Sequence, residues 1–300
     1  MTAGEFTRFE HSVVGILYMI FGIFGSFLSF FSVMTFIREK ALFKSGRAWL
    51  HISLALANLG VVGAFPFSGS SSFSGRWLYG SNMCQFYGFV GMFSGIAAIG
   101  NIFALCIERY MVCRQKEQVD KASNSFYWMA TGLVWLNAFF WAIMPVLGWG
   151  SYDIEPSGTS CTIKWQNYDG SYPSYITMLT LVCFIIPLPM ALISLLVSPS
   201  TETEGNEVPK PQTFFTQSEL KMICCYFLGL AALGWGSYCF ICTWALFADT
   251  ENVSMLASVI PPLSAKSMVL LYPLGYCMAN KRFKEAFLSV LSFNDKPKTT

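Results

Sequence analysis

The chain has 300 residues, 54% of them hydrophobic and only 12% charged, with a formal net charge of +2. A mean hydropathy of +0.50 excludes an ordinary soluble domain and points to several membrane-crossing segments. The net charge says little about partners, but there is no basic tract, so no nucleic-acid partner is expected.

The first ten residues are polar, with Glu5, Arg8 and Glu10, and no signal-peptide core precedes the first apolar run. That run is expected to act as its own insertion signal. Seven apolar runs follow, at about 13–37, 50–67, 83–107, 126–147, 176–197, 220–247 and 255–278. Each is long enough for a helix across the bilayer, where lipid leaves helices as the spanning form. The predicted fold is therefore an all-α membrane protein, a seven-helix bundle forming a single domain over 1–300.

Lysine and arginine set the expected orientation. Arg38, Lys40, Lys44 and Arg47 follow the first span, Arg109, Arg114, Lys116 and Lys121 the third, and Lys281, Arg282, Lys284, Lys296 and Lys298 the seventh. The opposite side carries only Arg8, Arg76 and Lys164. Positive-inside then puts an amino-terminal tail (1–12) outside the cell and a carboxyl-terminal tail (280–300) in the cytoplasm. Between spans five and six, the stretch 198–211 holds Glu202, Glu204 and Glu207 among Pro199, Pro209 and Pro211. It reads as a flexible acidic linker. After span seven, apolar residues at helical spacing alternate with basic ones over 280–288, the pattern of a short helix on the inner membrane surface.

Ten cysteines show no paired Cys-x-x-Cys zinc spacing, so no metal site is expected. Most lie in apolar runs, where cysteine is a small packing residue. Cys84 and Cys161 fall on the side assigned as extracellular, where disulfides are permitted. Asn252-Val253-Ser254 matches a glycosylation sequon close to the membrane. No cysteine follows Cys277, so no palmitoyl anchor is expected in the tail.

Lys266 stands out. Helical rise places it roughly 16 Å into the seventh run, near mid-membrane and too deep to snorkel. An ammonium there is costly and calls for a use. It could be a nucleophilic amine, pair with a carboxylate of another span, or line a water-filled path as in a transporter or channel. No other predicted span carries a deep acid, which weakens the ion-pair option. Desolvation favours the neutral amine, a nucleophile toward aldehydes. The imine it would form, once protonated, needs a carboxylate nearby.

Three features then converge: Glu108-Arg109-Tyr110 at the end of span three, the Cys84 and Cys161 pair, and Lys266 seven residues before Pro273 in Tyr272-Pro273-Leu274-Gly275-Tyr276. With Trp135, Pro187 and Trp235, they resemble the opsins, rhodopsin-type seven-helix receptors that bind retinal through a lysine imine. The likeness covers nearly the whole chain. Residues 75–85 and 147–163 most resemble the group of retinochrome, peropsin and the retinal G-protein-coupled receptor, molluscan retinochrome in particular. That resemblance implies a photoisomerase that holds all-trans retinal in the dark and converts it to the 11-cis isomer in light.

The same resemblance implies a Cys84–Cys161 disulfide, and a loop glutamate, Glu155, as counterion to the Lys266 imine. Asp153 and Asp169 are rival acids. Three residues after Cys84, where vertebrate visual pigments carry their acid, stands Tyr87. Phe89, Phe93, Phe184, Trp235 and Tyr238 are candidate walls for the polyene, and Gly95 is expected to leave room for it. Trp235 and Tyr238 match family pocket positions.

Several receptor positions depart from the family pattern: Ser29, Asn58, Leu195, Ser237 in place of the span-six proline, and Tyr272 in place of the span-seven asparagine. The missing proline implies that span six bends less or elsewhere. These departures favour chromophore processing over signalling, whereas the retained Arg109 favours a light-sensing receptor or else pairs structurally with Glu108. The expected partners are retinal, membrane lipid and a retinal-shuttle protein, with a G protein only in the receptor reading. The expected location is the plasma membrane or internal photoreceptor membranes.

Overall fold

The computed structural model describes residues 6–39, 43, 46–114, 124–198, 214–248, 250 and 253–292. The acidic stretch beyond Ser198, Asn252 of the sequon, and Lys40, Lys44, Lys116, Lys121, Lys296 and Lys298 lie outside the described residues.

Seven helical spans cross the bundle: Arg8–Arg38, Ala48–Phe73, Gly80–Val112, Ser125–Ile143, Tyr172–Val197, Gln217–Trp244 and Met255–Ala279. Each encloses or nearly matches a run marked by hydropathy, because twenty consecutive apolar residues have few other options in lipid. The helix ends follow capping chemistry more than hydropathy. Thr7 and Glu10 form a capping box that starts the first helix at Arg8, inside the stretch expected to be a tail. Thr216 and Glu219 do the same for span six. Outward-facing Leu133, Leu136, Leu233 and Phe240 are more than half exposed, as a lipid-facing surface requires.

Span six is one continuous helix through Ser237. The irregular turns fall in its neighbours. Span five holds a π-turn at Leu181–Ile185, just before Pro187, whose ring nitrogen has no hydrogen to give the ladder. Span seven carries Pro261 and Pro262 within Met255–Met268, then a 3₁₀ turn at Val269–Leu271. An amphipathic helix, Lys281–Leu291, follows. It is capped by Asn280 and buries Phe283, Phe287 and Val290.

A two-stranded hairpin lies between spans four and five. β1 (Tyr152–Ile154) pairs antiparallel with β2 (Cys161–Ile163), Ile154 facing Cys161. The disulfide Cys84–Cys161 fastens it to the start of span three. Two further bonds hold it there: Gln85 Nε2 donates to the Tyr152 carbonyl at 2.7 Å, and the Tyr152 hydroxyl donates to the Ala142 carbonyl at 2.7 Å. Gly88 makes the close approach possible, since a Cβ there would sit 2.6 Å from the Tyr152 ring.

Candidate functional site

The hairpin turn aims one acid inward. Glu155 N–H donates to the Ser160 carbonyl, and Gly158 N–H donates back to the Glu155 carbonyl, with Gly158 at φ +74°. Ile154 is exposed, whereas Glu155, at the turn, is only 4% exposed. The rival acids are accounted for elsewhere. Asp153 pairs with Lys164 at 3.1 Å near the surface. Asp169 is exposed and accepts from the Ser171 backbone and hydroxyl at the head of span five. Glu155 Oε2 is buried with no hydrogen-bond partner, a costly arrangement for a carboxylate. Burial pushes its carboxyl up to about 7, against the opposing pull of Lys266 and the Ser160 hydroxyl.

Lys266 reaches the same place from span seven. Pro262, Ala265 and Lys266 share one helix face at spacings of three and four, and line a cavity with Glu155 and Thr162 of the hairpin. Span three contributes Tyr87, Gly88, Gly91 and Met92, and span six Trp235 and Tyr238. The cavity holds about 440 Å³ of atom-free space. A Cβ added at Gly91 would meet nothing, so this glycine faces open volume. Among the described residues, no ion pair within 4.0 Å joins Lys266 to a carboxylate. Its Nζ instead lies 5.3 Å from the Tyr18 ring centre and 5.9 Å from that of Tyr87.

Met92, Trp235 and Tyr238 also line a second chamber, of about 460 Å³. Its other walls are mostly apolar and include Gly95, Ile99, Leu179 and Phe184. The π-turn of span five supplies both Cys183 and Phe184 to it. Tyr238 is fixed by a short hydrogen bond to Thr162 of β2. The two chambers share the walls formed by Met92, Trp235 and Tyr238. One end is polar and carries an amine; the other is apolar.

One expectation changes here. Phe89 and Phe93 are not chamber walls. They stack on each other and meet Phe139 and Trp135 of span four. Their stripe is turned away from the one formed by Gly88, Gly91, Met92 and Gly95. Gly95 lines the apolar chamber and also leaves room for the Trp235 indole, whose Cη2 lies 2.3 Å from where a Cβ would stand. Tyr18 and Ser160 were not foreseen, because nothing local to spans one and the hairpin marks them.

At the other end of the bundle, Glu108 is bound by Arg47 at 2.6 Å and by the Tyr127 hydroxyl at 3.1 Å. Arg109 is almost fully buried, and its Nε donates to the Gln217 carbonyl at the head of span six. The close partner of Glu108 is thus Arg47 from the preceding loop. Tyr110, third of the triplet, stacks under the Arg114 guanidinium. Trp135 donates to Ser53 Oγ at 2.8 Å, tying span four to span two.

Known proteins resemble this chain in sequence and fold. A family profile described as "7 transmembrane receptor (rhodopsin family)" matches residues 30–276. Human "Visual pigment-like receptor peropsin" is 30% identical over 95% of this chain and 86% of its own length. "Retinochrome" of Todarodes pacificus is 32% identical over 90% of each chain, and bovine "RPE-retinal G protein-coupled receptor" 27% over 96% and 93%. The crystal structure of squid rhodopsin superposes with a TM-score of 0.81 at 22% identity, over 98% of this chain and 90% of that one, a likeness of fold.

Proposed function

The chain belongs to the rhodopsin family of seven-transmembrane receptors, in its opsin branch beside retinochrome and peropsin, and from that premise we propose that it is a retinal photopigment working as a light-driven all-trans to 11-cis isomerase. The observation that carries this reading is the shared chamber of Lys266 and Glu155, with a buried carboxylate oxygen left unpartnered. The residues fit a long polyene aldehyde. An amine stands at the polar end, open volume at Gly91 lies beside it, and an apolar chamber continues past Met92, Trp235 and Tyr238.

When bound, retinal supplies the absorbing polyene and its photochemistry. The protein's part is to bind, orient and hold charge. Lys266 would hold the aldehyde carbon of retinal covalently through Nζ, the carbonyl oxygen leaving as water. Glu155 would act as counterion, holding the proton on that nitrogen from the hairpin side. The Cys84–Cys161 bond keeps the hairpin over span three, and so keeps Glu155 buried. Trp235, braced on Gly95, and Tyr238, braced on Thr162, form the waist that fixes the chain of the ligand. Phe184 and Gly95 belong to the far, apolar end.

In the membrane we place the hairpin end outside and Lys281–Leu291 on the cytoplasmic surface, following the positive charge of that end. Retinal is the ligand, and a retinal-shuttle protein is the partner such a cycle requires. The second reading, a light-sensing receptor coupled to a G protein, draws support from the buried Arg109 at the head of span six. Against it, Tyr272, where the family keeps an asparagine, has a buried hydroxyl with no partner. A polar relay through span seven is therefore interrupted there. Retinal chromatography tests the choice. The protein is loaded with all-trans retinal in darkness and extracted before and after illumination. A dark all-trans pigment that turns mostly 11-cis supports isomerisation. A pigment formed only with 11-cis retinal, turning all-trans in light, would make the chain a receptor.

A further inference from the structure

The Lys266 nitrogen stands over two aromatic rings and, among the described residues, is held in no ion pair within 4.0 Å. Tyr18, from span one, lies 5.3 Å from Nζ and is 1% exposed; Tyr87, from span three, lies 5.9 Å away. Both distances fall within the roughly 6 Å over which a ring face attracts a cation. Glu155 is not within 4.0 Å of Nζ. The titratable groups facing this nitrogen are Glu155 from the hairpin, Tyr87 from span three, Tyr238 from span six and Tyr18 from span one. Tyr18 also packs with Val14 and Val259, which fixes its ring between spans one and seven.

We infer that Tyr18 is a positioning residue for the Lys266 nitrogen, its ring face carrying part of the positive charge that Glu155 does not contact. The inference rests on Lys266 being the attachment site. It differs from a packing role in one respect: the face of an aromatic ring is needed at position 18, and the hydroxyl is not.

The test reads Lys266 first without retinal. Reductive methylation by formaldehyde and cyanoborohydride consumes the neutral amine, and its rate at Lys266 is followed by peptide mass spectrometry. A cation–π contact of ordinary strength means that Tyr18→Leu speeds methylation about 2- to 30-fold. Tyr18→Phe leaves the rate within about twofold of the parent's, on the same principle. Trifluorophenylalanine at position 18 keeps the shape, drains electron density from the face and speeds methylation relative to Tyr18→Phe. That comparison decides the matter even where Tyr18→Leu does not fold. In the retinal-loaded protein, the pH at which half the visible band is lost falls in the same order. Equal rates for the phenylalanine and trifluorophenylalanine proteins, or a Tyr18→Phe rate as fast as that of Tyr18→Leu, would overturn the inference. Absence of any pigment, with the methylation order intact, would instead count against the retinal reading alone.

Discussion

Replacing Glu155 by glutamine should make the ligand-free protein more stable at alkaline pH and leave it unchanged in acid. The sign follows from burial. The Glu155 carboxyl sits at about 7 in the folded protein, against 4.5 for the free group, because desolvation outweighs the nearby Lys266 charge. The folded state therefore holds the Glu155 proton more tightly than the unfolded chain does. Stability from this group is fully present below about pH 4.5 and is lost as pH rises through 7. The loss is about 3 kcal/mol. Glutamine is neutral throughout and does not titrate. Thermal unfolding by intrinsic fluorescence, in one detergent from pH 4 to 8.5, provides the assay. Parent and Glu155→Gln should agree near pH 4, and the variant's midpoint should lead by on the order of 5 °C above pH 8. Parallel curves for the two proteins over the whole range would refute the claim that Glu155 is buried without a close ionic partner.

Other substitutions probe the supports of the site. Gly95→Ala puts a methyl 2.3 Å from the Trp235 indole; the ring must move, and the retinal pigment should form more slowly and absorb at a shifted wavelength, read by spectrophotometry. Cys84→Ser removes a crosslink spanning 77 residues, which constrains the unfolded chain by about 4 kcal/mol in the loop-entropy account. A midpoint drop of several degrees and faster bleaching by hydroxylamine, as the hairpin loosens over Glu155, are the expected results. Arg47→Met leaves Glu108 buried without its 2.6 Å partner. A loss of about 3 kcal/mol should appear as lower thermal stability, with the pigment spectrum unchanged because the pair lies at the opposite end of the bundle.

What the sequence disclosed was what depends on local pattern. The seven spans follow from apolar length, and the C-terminal helix from the spacing of Phe283, Phe287 and Val290. Lys266 was visible because a charge in a long apolar run is costly wherever the other helices lie. Glu155 was singled out by the resemblance to the opsins, together with its place six residues before Cys161. The contacts that depend on helix rotation were not visible. Phe89 and Phe93 are aromatic and lie in the right span, yet they face span four, on a different stripe from Gly88, Gly91 and Gly95. Tyr18 meets Lys266 only because spans one and seven pack side by side. Arg47, at the head of span two, takes Glu108, at the end of span three, because the two spans pack together there. His51, whose Nδ1 lies 2.7 Å from the Tyr276 hydroxyl, joins spans two and seven in the same unannounced way.

The central claim is that Lys266 holds the chromophore, and its most direct test is to locate the bond. The protein is loaded with all-trans retinal in darkness, reduced with borohydride to fix any imine as a stable amine, digested and mapped by mass spectrometry. The account predicts a retinyl group on the peptide bearing Lys266 and on no other lysine, with no adduct and no visible band in Lys266→Ala. A retinyl group on Lys164 or Lys221, or a visible band that survives in Lys266→Ala, would contradict it.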